Sequence, residues 1–215
     1  MRRILSILGL CVMSLIYIAP ASADWGTDLK YGVTLHAGTY ETDGSESEKT
    51  GAGDKETTNH SEKEGFYGAS VYVEKELANG FIVGLDWVPM DIELGSGERI
   101  DTDAENASDD DGTRKASADI ENLFTLYTHI PLGPMYLLLG YHDADITTDE
   151  TLQTSTYGDA SVNGIQYGLG VKSDNVKFEV AYSDFDDISL ASSNASTQKI
   201  AADADALAFR LSFGF

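Results

Sequence analysis

The sequence predicts an all-β fold: an eight-stranded antiparallel up-and-down barrel that crosses a membrane, with short turns at one end and four long acidic loops at the other. Three observations carry this expectation. Segments of alternating polarity recur along the chain, the connections between them alternate between long and short, and the glycines of these segments sit on the polar parity. A strand sends successive side chains to opposite faces, so parity reports facing.

The pattern is clearest in residues 205–215, which read D-A-L-A-F-R-L-S-F-G-F. Leu207, Phe209, Leu211, Phe213 and Phe215 share one parity, and Ala206, Ala208, Arg210, Ser212 and Gly214 share the other. Seven further segments behave alike. Strand one, residues 30–42, sets Tyr31, Val33 and Leu35 against Gly32, Thr34 and His36. Strand two, 65–76, sets Tyr67, Val71 and Val73 against Gly68, Tyr72 and Glu74, and the Asn79-Gly80 pair then makes a tight turn with φ > 0. Strand three, 81–93, sets Phe81, Val83, Leu85 and Trp87 against Gly84 and Asp86; Pro89 predicts a bulge or a departure from the ladder.

Strand four, 117–130, places Ile120, Phe124, Leu126 and Ile130 outward and Glu121, Leu123, Thr125, Tyr127 and His129 inward, with Asn122 interrupting the apolar side. A Pro131-Leu132-Gly133-Pro134 turn leads to strand five, 135–146, with Leu137, Leu139 and Tyr141 against Tyr136, Leu138, Gly140 and His142. Strand six, 160–172, opposes Ile165, Tyr167, Leu169 and Val171 to Gly164, Gln166, Gly168, Gly170 and Lys172. Strand seven, 176–185, opposes Val176, Phe178, Val180 and Tyr182 to Lys177, Glu179, Ala181 and Ser183. Residues 43–64, 95–115, 147–158 and 186–203 lack apolar periodicity and are read as solvated loops.

Facing follows from volume. A barrel of eight strands has room inside for only a limited volume of side chains. Glycines inward and bulky residues outward suit that geometry if the outside is lipid, whereas a water-soluble sandwich would need the reverse. Aromatics near strand ends (Tyr31, Phe81, Trp87, Tyr141, Tyr182, Phe215) then form interfacial girdles.

Residues 1–23 read as a cleaved signal peptide: Arg2 and Arg3, an apolar run over 4–18, and Ala21-Ser22-Ala23. The barrel domain is expected over 24–215. Cys11, the one cysteine, lies within the signal, so no disulfide or thiolate chemistry is expected in the mature chain. The mature chain carries 12 basic and 36 acidic residues, a charge of −24. This excludes nucleic-acid binding through a basic surface.

The terminal aromatic strand and the eight-segment plan resemble the small outer-membrane β-barrel family typified by the OmpA membrane domain and OmpX. The resemblance implies a Gram-negative outer-membrane location with both termini periplasmic and a monomer. It also implies contact with outer-membrane lipid and lipopolysaccharide, and recognition of Phe215 and Phe213 by the barrel-assembly machinery. No peptidoglycan-binding domain is expected after the final strand.

The candidate site is the interior polar network: Arg210, Glu179, Glu74, Asp86, Glu121, Lys172, Lys177, His36 and His142. Charges in a narrow interior must pair or meet water. Arg210 and Glu179, on the adjacent strands eight and seven, are placed to bridge. The network reads as a plug, and as the gate of a narrow pore in the alternative reading. Asp101-x-Asp103-x-Glu105 resembles the start of a calcium loop but has Asn106 where a glycine is needed, so divalent cations at the acidic loops compete with a merely solvated loop. No metal, cofactor or catalytic residue is assigned, and a lipid A-modifying enzyme is the third reading. The expected role is structural or surface-interactive.

Overall fold

The computed structural model describes residues 29–49, 55–101, 112–151, 157–193 and 199–215. The segment expected to be a signal peptide, and Asp103 and Glu105, lie outside them. Ten strand segments follow one another: β1 (Leu29–Lys49), β2 (Lys55–Glu76), β3 (Ile82–Val88), β4 (Ile92–Asp101), β5 (Gly112–Leu132), β6 (Met135–Thr151), β7 (Ala160–Ser173), β8 (Val176–Phe185), β9 (Ile188–Ala191) and β10 (Lys199–Gly214). They form eight staves. β3 and β4 share one stave, both pairing with β5, and β8 and β9 share another, both pairing with β10. All pairings are antiparallel, and β1 pairs β10 from Gly32↔Gly214 to Ser47↔Lys199, which closes the barrel.

The three short turns form where their chemistry allows. Gly80 has φ 81°, Gly133 φ 71° and Asp174 φ 45°, all in the left-handed region. Asn79 Oδ1 accepts the Phe81 N–H at 3.2 Å in the first turn. Closure runs to the last residue: the Gly214 N–H donates to Asn175 O and the Phe215 N–H to Tyr31 O, at 2.7 and 2.8 Å.

The facing is the one that parity predicts. Tyr31, Leu35, Leu85, Leu169, Phe178 and Phe209 are exposed on the outer surface, while Arg210, Ser212, Glu179 and Asp86 are buried inside. Among the described residues, two dozen large apolar side chains lie exposed in this way. At roughly 1.5–3 kcal/mol for each such side chain moved out of water, leaving them in water would forfeit tens of kcal/mol. Lipid is the environment that this surface fits.

Three glycines have a specific partner. Tyr72, Tyr127 and Tyr136 each sit directly across the ladder from a glycine, in the pairs Gly32↔Tyr72, Gly84↔Tyr127 and Tyr136↔Gly170. Each ring folds over its glycine, so that a Cβ there would overlap it. The missing side chain makes room for an inward aromatic, the pairing by which strands compensate a glycine.

Several sequence expectations need correction. Residues 43–64 are not a long loop: β1 and β2 stay paired out to Lys49↔Lys55. β4 and β5 likewise pair out to Asp101↔Gly112, and β10 begins at Lys199 rather than 205. Pro89 does break its stave, between β3 and β4. The larger correction is at Asn122, which has φ 51° within a register shift of the β5–β6 ladder between Glu121 and Phe124. This bulge inverts the facing of everything before it. Ile120, expected outward, is buried inside.

Candidate functional site

The interior over the short-turn half of the barrel is filled by polar side chains in two bonded groups, which meet where the Tyr127 ring lies 4.9 Å from the His129 ring. At its lower end, beside the short turns, Lys177 on β8 donates to Glu74 on β2 at 2.5 Å, and the Tyr127 hydroxyl donates to the same carboxylate oxygen at 2.9 Å. The Lys177 ammonium also lies 4.0 Å from the centre of the Tyr72 ring, a cation–π contact strengthened by burial.

One level up, Glu179 gathers three donors. The Tyr136 hydroxyl reaches Oε1 at 2.9 Å, His129 Nε2 reaches Oε1 at 3.0 Å, and Arg210 Nη1 reaches Oε2 at 3.3 Å. Arg210 also donates through Nη1 to Gln166 Oε1 and through Nη2 to Asp86 Oδ2, each at 3.1 Å. The guanidinium fork thus spans three staves, β3, β7 and β8, from its own place on β10, a reach suited to its rigid planar geometry. Asp86 takes the Ser70 hydroxyl at 3.0 Å, and His36 Nε2 meets that hydroxyl at 2.7 Å. Above these, His142 is held between Thr125 Oγ1 at 2.8 Å and Ser183 Oγ at 2.9 Å.

Position along the strand explains these meetings. Arg210 pairs in the ladder with Glu179 on one side and His36 on the other. The salt bridge expected between Arg210 and Glu179 is present. Asp86, Glu74, Lys177 and His142 are buried in the same interior, and His36 is half-buried there. Two expected members are not in the network. Glu121 lies before the Asn122 bulge, so it faces outward, where it accepts from Thr147 Oγ1 at 2.9 Å. Lys172 has the inward parity but sits at the mouth beside the Ser173-Asp174-Asn175 turn, exposed, with Glu76 at 3.4 Å. The expected list lacks His129, Gln166 and the three tyrosines. Their inward parity was legible, and only the emphasis on formal charge passed them over.

The arrangement can hold charge but is poorly set for nucleophilic catalysis. Ser70 lies next to His36 and Asp86, yet its hydroxyl donates to Asp86. The hydrogen of the His36–Ser70 bond must then come from His36, which is the opposite of a general base taking the serine proton. Among the described residues no group of three or more His, Cys, Asp or Glu side chains is placed to hold a metal ion.

No family model matches the chain, and no curated protein matches it. Solved structures do show likeness. The outer membrane protease OmpT from Escherichia coli aligns over 88% of this chain and 97% of its own, at 11% identity and TM-score 0.46. The outer membrane protein OprG from Pseudomonas aeruginosa aligns over 86% and 96%, at 14% identity and TM-score 0.44. The outer membrane protein AlkL, solved in lipid bilayers, aligns over 86% and 90%, at 11% identity and TM-score 0.46. The assignment of this chain rests on its own geometry. By its closure, its eight staves and its apolar outside around a charged inside, the chain is a transmembrane β-barrel of the outer-membrane type.

Proposed function

We propose that this protein is a closed outer-membrane barrel with a structural and surface-directed role, anchoring acidic β-ribbons outside the cell. One observation carries the reading: polar side chains from Lys177 to His142 cross the lumen in two bonded groups that meet at the Tyr127 and His129 rings, rather than ringing a water path. The paired extensions of β1–β2 and β4–β5–β6 continue beyond the level of the outward aromatics Tyr67, Trp87 and Tyr141. They carry Glu41, Glu62, Glu64, Asp143 and Asp145.

In this reading the short turns and both termini face the periplasm. Phe213 and Phe215, on the outer surface at the short-turn end, are presented to the assembly machinery. The partners are outer-membrane lipid and lipopolysaccharide around a monomer, with divalent cations as counter-ions to the ribbons. Planar-bilayer recording tests the closed lumen. The purified protein is expected to give no discrete conductance steps, while Arg210→Ala with Glu179→Ala is expected to introduce them. Reproducible steps from the unmodified protein, altered by the Arg210→Ala change alone, would establish the narrow-pore reading instead.

A further inference from the structure

Between the charged network and the ribbon end lies an interior cavity of about 90 Å³. Its floor includes Arg210, Gln166 and His142, and its walls include Phe66, Ile92, Ile120, Leu123 and Ala208. A polar floor under apolar walls is the usual make-up of a small-molecule site. At roughly 30 Å³ per water, it has room for about three waters or an organic molecule of a few heavy atoms.

Three features set it apart from a packing void. The Asn122 bulge, with its left-handed backbone, turns Ile120 from the lipid face to the lumen. The barrel wall is also open in hydrogen bonding beside the cavity. The β2–β3 ladder ends at Val71↔Trp87, and β4 pairs with β5, so residues 65–70 of β2 have no partner strand on that side among the described residues. Phe66 and Gly68 on one side of this seam, and Val88 and Ile92 on the other, all line the cavity. Finally, Arg210 is 4% exposed and its Nε–H has no acceptor among the described residues, although its other nitrogens are bonded. Asp86 and Glu179, two carboxylates against one guanidinium, already more than offset its charge. A neutral acceptor therefore suits this floor better than an anion.

We propose that the cavity binds a small uncharged amphiphile, an apolar body carrying one hydroxyl or carbonyl, oriented with the polar end on the Arg210–Gln166–His142 floor and admitted beside the β2–β3 seam. This goes beyond the closed-barrel reading. It uses the network only as a floor and holds whether or not the lumen conducts.

The test is methyl NMR of the full barrel in lipid nanodiscs titrated with 1-propanol. The methyls of Ile92, Ile120 and Leu123 are expected to shift saturably, while lipid-facing Leu35, Leu85 and Leu169 drift linearly as the alcohol partitions into the bilayer. Ala208→Phe, which fills the cavity, is expected to weaken the saturable response at least tenfold, and its outward neighbour Leu207→Phe to leave it unchanged. Should Ala208→Phe fail to fold, Leu123→Trp serves the same purpose. Propane is expected to bind at least fivefold more weakly than 1-propanol. Cavity methyls that drift only linearly, or a saturable response that survives in a folded cavity-filled variant, would overturn the site. Equal binding of propane and 1-propanol would overturn the role of the floor.

Discussion

The short-turn half and the ribbon half of this barrel obey opposite rules. In the first, the outside is apolar and the inside is charged. In the second, Ile120, Ala144, Ile146 and Val162 cluster inside, while Asp143, Asp145 and Ser161 face out. β6 makes the change without any irregularity. Leu137, Leu139 and Tyr141 face outward, and the next two outward positions are Asp143 and Asp145. β7 repeats it, with Ile165 to Val171 apolar outside and Asn163 and Ser161 beyond. The backbone is continuous, so the inversion records the solvent: lipid surrounds one half and water the other. The point of inversion, between Tyr141 and Asp143, marks the edge of the membrane.

The largest effect that would break this comparison lies in the charged half. Arg210→Leu keeps volume and removes the cation between Asp86 and Glu179, leaving two buried carboxylates with less compensation. Losing one partner of a buried pair costs about 3–5 kcal/mol. Urea unfolding in lipid vesicles should show a loss of that size. A loss under about 1 kcal/mol would mean that the lumen is wetter than its geometry shows.

The boundary itself is sharpened by paired arginines on one strand. An arginine at the bilayer midplane of a barrel's lipid face costs about 2–4 kcal/mol, falling to about 0–1 near the interface. Leu169→Arg should therefore destabilise strongly and Ser161→Arg hardly at all, measured by the same unfolding. Equal costs would place the membrane edge elsewhere.

Much of the first half was legible in the sequence because parity decides facing wherever the solvents on the two sides differ. Arg210 and Glu179 could be paired from parity and strand adjacency alone. The Arg210–Asp86 bond could not, because it crosses the lumen and depends on curvature. Glu121 was misplaced because one residue of bulge reverses a whole segment. The signal was present in Asn122, a polar residue on the apolar side and one of the types that tolerate φ > 0. The paired ribbons were invisible for a different reason. With water on both sides, Ser47↔Thr57 or Gly44↔His60 leaves no apolar period to read, and hairpin continuation alone sets their register.

A smaller effect tests the tyrosine–glycine pairs of the charged half. Gly84→Val would put a branched side chain where the Tyr127 ring lies. Tyr127 would have to leave both that site and its bond to Glu74. Overpacking of this kind costs about 1–3 kcal/mol. Adding Tyr127→Ala should recover part of the steric loss, though not the hydrogen bond. A double variant whose loss equals the sum of the two single losses would show that the ring and the glycine are not coupled.

The smallest effect belongs to the ribbon half and depends on pH. Partial burial, then the nearby Asp43, Asp187, Asp205 and Asp184, raise the Asp203 carboxyl above its ordinary value. The folded state therefore holds this proton more tightly than the unfolded chain does. Stability from this group falls as pH rises from the ordinary carboxyl range through the raised folded value. Exposure and salt screening keep the effect small. Asp203→Asn should make the ribbon slightly more stable than the parent at neutral pH. The difference should fade below the ordinary carboxyl range, and at neutral pH it should shrink as salt is added. Amide exchange along the Asp43↔Asp203 ladder reads this directly. Faster exchange in Asp203→Asn at neutral pH would show that the carboxylate supports the ribbon rather than straining it.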